Sequence, residues 1–204
     1  REPRGREIFN EHSDQIPVEK VNNFLKNGIS TKRPANDELH HLVLSFKPED
    51  FEQLGRDEKE RLKSLKEITR HAMKQFAREI KADKLAWAGG IHRNTDHPHV
   101  HIAINKVYCD RNLERQNLNK IPISLLPHYE KNGEEKTFQP GVLIQAATDK
   151  LDEIRQTKAQ QISQQAADRN FVVEKGQQTA NDRSTTAGPA EAKIKNQTDR
   201  ERKI

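Results

Sequence analysis

Cysteine is almost missing from this chain: Cys109 is the only one in 204 residues. That excludes an internal disulfide and any cysteine-based zinc cluster. It fits a reducing compartment, and the expected location is the cytoplasm. Aromatic residues make up 5% of the chain, with one tryptophan and two tyrosines, so stacking platforms for nucleobases are few. No apolar run approaches the roughly 20 residues that a membrane-spanning helix needs, and the first residues carry no signal-like apolar region. Hydrophobic residues are themselves scarce, at 32% against 33% charged, which predicts a compact core with sizeable solvated segments. The length suits one domain of ordinary size plus extensions. A net charge of +5 and a pI near 9.3 lean mildly toward polyanionic partners. The chain starts at Arg1 rather than Met and is read as a processed or excised piece.

Residues 1–16 are polar and carry no pattern. After Pro17, the spacing of Val18, Val21 and Leu25 predicts a short amphipathic helix with Gly28 as its stop. "LHHLVLSF" (39–46) reads as a buried strand. From 56 to 82, Leu62, Leu65, Ile68, Ala72, Phe76 and Ile80 recur every three or four residues and mark the clearest helix. Residues 84–91 read as a second strand, where Gly89 and Gly90 signal a bulge or a close backbone approach. Residues 99–106 read as a third strand. The stretch from 109 to 120 reads as loop, and 121–135 as loop with short strand character. A second helical stretch from Gly141 to about Phe171 carries Leu143, Ile144, Ala147, Leu151, Ile154 and Ile162. Beyond it the composition is polar and reads as disordered. This order predicts an α+β fold: a central, mainly antiparallel sheet with helices packed on one side. The expected domains are a core over 1–135, a helical extension over 136–172 and a disordered polar tail or linker over 173–204.

Against this background stands "HRNTDHPHVHIAIN" (92–105), which concentrates four of the nine histidines in ten residues. Side chains alternate faces along a strand. His99, His101, Ala103 and Asn105 therefore share one face, and Val100, Ile102 and Ile104 the other. Residues 93–98 are turn formers, so a hairpin would bring His92 back beside His99. Three imidazoles then converge from two strands, with Asn94 and Asp96 close enough to fix their tautomers. Three neutral ligands leave coordination positions open for water or substrate, as catalytic sites require. The site is read as a metal centre or as general acid–base chemistry, against the plainer reading of surface histidines on a solvated strand.

The same stretch resembles the third motif of plasmid relaxases, mobilisation nucleases of the HUH endonuclease superfamily. There a histidine precedes an acidic turn, His-x-His and a branched run ending in Asn. "LHHLVLSF" is similar to the family's first core strand, and the resemblance spans roughly residues 8–110. It implies that His92, His99 and His101 hold a divalent cation, Mg²⁺ or Mn²⁺ in the cell, with Zn²⁺ or Ni²⁺ accepted in vitro. Asn94 stands where the family usually has an aspartate orienting the first histidine, with Asp96 as a substitute. His97 falls at a variable family position and gets no ligand role. The implied activity is strand-specific nicking of single-stranded origin-of-transfer DNA by transesterification, with accessory relaxosome proteins as further partners. Lys32, Arg33, Lys47 and Arg93 are the candidate phosphate contacts.

The family's nucleophile is a tyrosine near the protein's start, and no tyrosine lies between Arg1 and Trp87. Tyr129, Tyr108 and His41 remain as weak candidates. By strand parity Tyr108 points away from the histidines, and Tyr129 reads as a partly buried loop anchor. The simplest expectation is a relaxase body whose tyrosine lies before Arg1. Two competing readings are a non-cleaving DNA-binding module of the same fold and a histidine-triad nucleotide hydrolase. The second uses His97, His99 and His101 but leaves His92 without a role and needs no metal.

Overall fold

A computed structural model describes residues 7–26, 39–93, 97–132 and 135–184. The chain up to Lys158 forms one compact unit, and a second begins at Ala159. The centre of the first unit is the hairpin of β3 (Ala82–His92) and β4 (His99–Asp110). β2 (Leu39–Ser45) pairs with the outer side of β4 and β1 (Ile8–Phe9) with the outer side of β3. β5 (Arg115–Asn117) pairs with the far end of β4, and every pairing is antiparallel. β6 (His128–Asn132) and β7 (Glu135–Gln139) form a separate two-stranded sheet. The α+β architecture with a mainly antiparallel sheet is as the sequence predicts.

The alternation along β4 decides what each face does. Val100, Ile102 and Ile104 are fully buried, each contributing about 1.5–3 kcal/mol by leaving water. They pack beneath α3 (Glu58–Glu79), whose Leu65, Ile68, Ala72 and Phe76 form the predicted stripe. The Asp57 carboxylate caps α3 by accepting from the Glu60 N–H at 2.8 Å. The first part of α4 (Gly141–Ser184) joins this core through Leu143, Ala147, Leu151 and Ile154.

α1 (Val18–Lys26) lies on the opposite face of the sheet. Leu25 and Ala88 are buried without joining the main core, and buried Asn105 donates from Nδ2 to the Leu25 carbonyl at 2.7 Å. Asn105 shares its face with His99 and His101, so α1 covers one end of the histidine face and leaves the other open. The second short helix, α2 (Pro48–Glu52), follows β2 and begins with its proline in the first turn.

Several local expectations need correction. The 39–46 stretch is an edge strand rather than a buried one: Leu44 is buried, but Leu39 and Val43 stand 43% and 47% exposed on the histidine face. An apolar run of this length does not itself reveal whether a strand is covered on both faces. Residues 109–120 hold the end of β4 and all of β5, not only loop. The register shifts of β3 fall at Ala82–Lys84 and Leu85–Trp87, away from the glycines. Helix α4 continues to Ser184, beyond the expected start of a tail at 173, because the polar stretch is rich in helix-forming Gln, Ala, Glu and Lys. The compact unit extends through Lys158.

Residues 7–16, featureless as sequence, are pinned by α3. Lys66 pairs with Glu7 at 3.0 Å and donates to the Asp14 carbonyl; Arg70 donates to the Asn10 and Ser13 carbonyls and to Asp14. Phe9 is fully buried, edge-on to Trp87. Gly89 makes that possible, since a Cβ there would sit 2.8 Å from the Phe9 ring and 3.2 Å from Val100. Gly89→Ala is therefore expected to lower stability by about 1–3 kcal/mol in denaturant melts. Gly90→Ala, with nothing within 4 Å of its added carbon, is expected to change stability by less than about 0.5 kcal/mol. Equal midpoints for the two variants would contradict the packing of β1 on β3.

Candidate metal centre

The β3–β4 hairpin closes with His92 directly opposite His99, and the next pair in the same register is Ile91 with Val100. One step further, His101 stands across from Gly90. His92, His99 and His101 therefore share one face at the hairpin's turn end. Their rings lie with centroids 5.3 Å (His92–His99), 4.4 Å (His92–His101) and 4.9 Å (His99–His101) apart. One nitrogen from each falls within 4.8 Å of the others. That is the convergence the strand alternation predicts.

Hydrogen bonds orient the rings. The Nδ1–H of His99 donates to the His97 carbonyl at 2.9 Å, which leaves Nε2 with its lone pair for a cation. His97 thus contributes its backbone carbonyl, and its side chain is exposed just ahead of β4. The donor set is nitrogen-only and partly exposed, a chemistry suited to a borderline divalent ion with water or substrate oxygens completing the shell. Gly90 and Ala103 keep the surroundings of His101 low, and the Gly90 position opens on empty space.

Residues 3–170 match the family of MobL relaxases. The chain belongs to that family. No curated protein and no solved structure matches the chain. Membership gives this MobL relaxase a role in plasmid mobilisation and displaces the nucleotide-hydrolase reading. That reading also loses its geometry, because His97 precedes the strand that carries His99 and His101. Among the described residues, no helix is long and apolar enough to cross a membrane.

The remaining candidates of the sequence are scattered. Lys32, Arg33, Asn94 and Asp96 lie outside the described residues. Lys47 is exposed just after Phe46, whose N–H donates to the Pro98 carbonyl at 2.9 Å, so it sits at the histidine end of β2. Arg93 pairs with Glu58 at the start of α3. Tyr108 packs against the main core, on the side that parity predicts. Tyr129 is 68% exposed on β6, edge-on to Phe138. It is no buried anchor, and its hairpin lies on the helical side of the sheet, where His128 and Glu130 share a cleft with His71 and Val142. His41 of β2 reaches the cluster: its Nε2 lies 2.8 Å from Nδ1 of His101. The pairing of β2 with β4 is what brings it there, and a sequence separation of 60 hid it from local sequence reasoning.

Proposed function

We propose that this MobL relaxase is a cytoplasmic, metal-dependent enzyme that nicks one strand of origin-of-transfer DNA by transesterification. The observation that carries the proposal is the convergence of His92, His99 and His101 at one hairpin end in a chain of relaxase ancestry. A divalent cation held by these imidazoles would neutralise charge on the scissile phosphate and raise its electrophilicity. The imidazoles would hold the cation at the hairpin end, and the open position at Gly90 would leave room for a sugar–phosphate backbone beside exposed Val43. Exposed Lys47 offers a phosphate contact at the same end, with Lys32, Arg33 and Arg93 as further candidates. Asp96 and Asn94, which fall between His92 and His99 in the sequence, are assigned to holding the first histidine.

The attacking group is assigned to a tyrosine that is neither Tyr108 nor Tyr129. Its phenolic oxygen forms the new bond to phosphorus as the 3′ oxygen leaves, giving a 5′-phosphoryl-tyrosine and a free 3′-OH. One observation supports this: among the described residues, neither tyrosine stands on the histidine face. Backward along β1, the chain moves from Ile8, opposite Gly90, to Glu7, whose carbonyl accepts from the Ile91 N–H at 3.1 Å. Glu7 therefore stands beside Ile91, the residue before His92. The second reading, a non-cleaving DNA-binding module, draws on the same lack of a tyrosine on that face.

The direct test of the binding half is a titration with single-stranded and duplex oligonucleotides across salt concentrations. Single strands are expected to bind more tightly. The slope of log K against log salt should be negative, about 0.7 for each phosphate neutralised. A flat salt response, or equal affinity for both forms, would count against a nucleic-acid substrate.

A further inference from the structure

We infer that His41 is a positioning residue for the metal centre: it accepts the Nδ1–H of His101 and so turns the Nε2 lone pair of His101 toward the cation. This rests on the metal-centre reading given above.

The geometry of the pair distinguishes a hydrogen bond from ring stacking. The ring planes differ by 3° and the centroids are 5.0 Å apart. The facing nitrogens, His41 Nε2 and His101 Nδ1, are 2.8 Å apart. Two parallel rings whose nearest atoms are that close have planes separated by less than a stacking distance. They therefore meet edge to edge, and one nitrogen must carry a proton while the other accepts it. His101 is an Nε2 donor to the cation only if its Nδ1 carries that proton. His41 then accepts at Nε2 and holds its own proton at Nδ1.

The same logic is already built at His99, where the His97 carbonyl receives the Nδ1–H at 2.9 Å. A carbonyl can only accept, so it dictates the His99 tautomer. An imidazole can accept or donate, so His41 does so only in one of its own tautomers. At His101 the ladder neighbours are Val43 and Gly90 in regular pairing, and the facing nitrogen for Nδ1 comes from a side chain. That side chain is His41, two residues along β2 from Val43. His41 is exposed and lies outside the ligating trio, so it contributes no volume to the core and no ligand atom to the cluster. What it supplies is a directional acceptor.

The test compares His41→Phe, which keeps a flat ring but has no acceptor, with His41→Gln, whose amide oxygen restores one. Ni²⁺ and Mn²⁺ are titrated by calorimetry into the intact chain. Long-range ¹H–¹⁵N spectra of the metal-free chain report which nitrogen of His101 is protonated. H41F is expected to weaken metal binding roughly 10- to 100-fold with an unchanged thermal melt. In the same variant the His101 resonances should shift from the Nδ1–H form toward a tautomer mixture. H41Q should recover most of both. Unchanged affinity and an unchanged His101 tautomer in H41F would overturn the proposal, as would equal loss in H41F and H41Q. If the unsubstituted chain binds neither metal, the metal-centre reading fails, and the tautomer spectra still decide what His41 does.

Discussion

Replacing His99 and His101 together with alanine is expected to abolish measurable binding of Ni²⁺ and Mn²⁺ while the chain stays folded. Two of the three converging donors are removed, and His92 alone offers a single nitrogen. The fold should be spared because both residues are only partly buried and face away from Val100, Ile102 and Ile104. A loss of less than about 1 kcal/mol in denaturant melts is in keeping with substitutions outside a core. In a nicking-competent form the same variant should lose at least ~100-fold in rate, since charge neutralisation at a phosphate supplies several kcal/mol. Chelator should reproduce that loss in the unsubstituted protein. Undiminished metal binding by the double variant would remove the three-histidine assignment, and collapse of its melt would show that the face carries stability after all.

The second large effect concerns the covalent step. The 204-residue chain should bind metal and single-stranded DNA yet run on a denaturing gel free of attached DNA. Extension with an upstream segment bearing a tyrosine should convert part of the protein to a slower-migrating adduct, and Tyr→Phe in that segment should abolish it. The expectation follows from placement: Tyr108 is packed against the core, and Tyr129 belongs to the hairpin beside α3 and α4. An adduct formed by the chain as it stands would refute the assignment. Peptide mapping would then choose among Tyr129, Tyr108 and His41.

What could be read from sequence was what repeats over a few residues. The histidine face follows from a period of two along β4 and from the turn formers at 93–98 that return the chain to β3, so His92, His99 and His101 were legible before any tertiary contact was known. The stripe of α3 was legible for the same reason at its own period. β1 was not, because two residues have no period; its place depends on Phe9 filling the space that Gly89 leaves. The docking of α1 rests on Asn105 meeting the Leu25 carbonyl across 80 residues, and His41 reaches His101 across 60. No local pattern encodes such pairings. The polar half of α4 carries no such period: composition that cannot build a core can still sustain a helix.

The strict alternation of β4 also bears on how such a protein can change over generations. Over residues 99–104 the even positions carry the cohesion of the fold and the odd positions the candidate ligands, so mutation can act on the two almost independently. A lineage can exchange one imidazole for another side chain, alter its choice of ion or fall silent as a nuclease, and still inherit a well-folded body. Catalytic loss is then a short evolutionary step, whereas loss of the scaffold requires changes on the face that natural selection guards for stability. Inactive descendants that keep the shape are the expected by-products of a strand built this way.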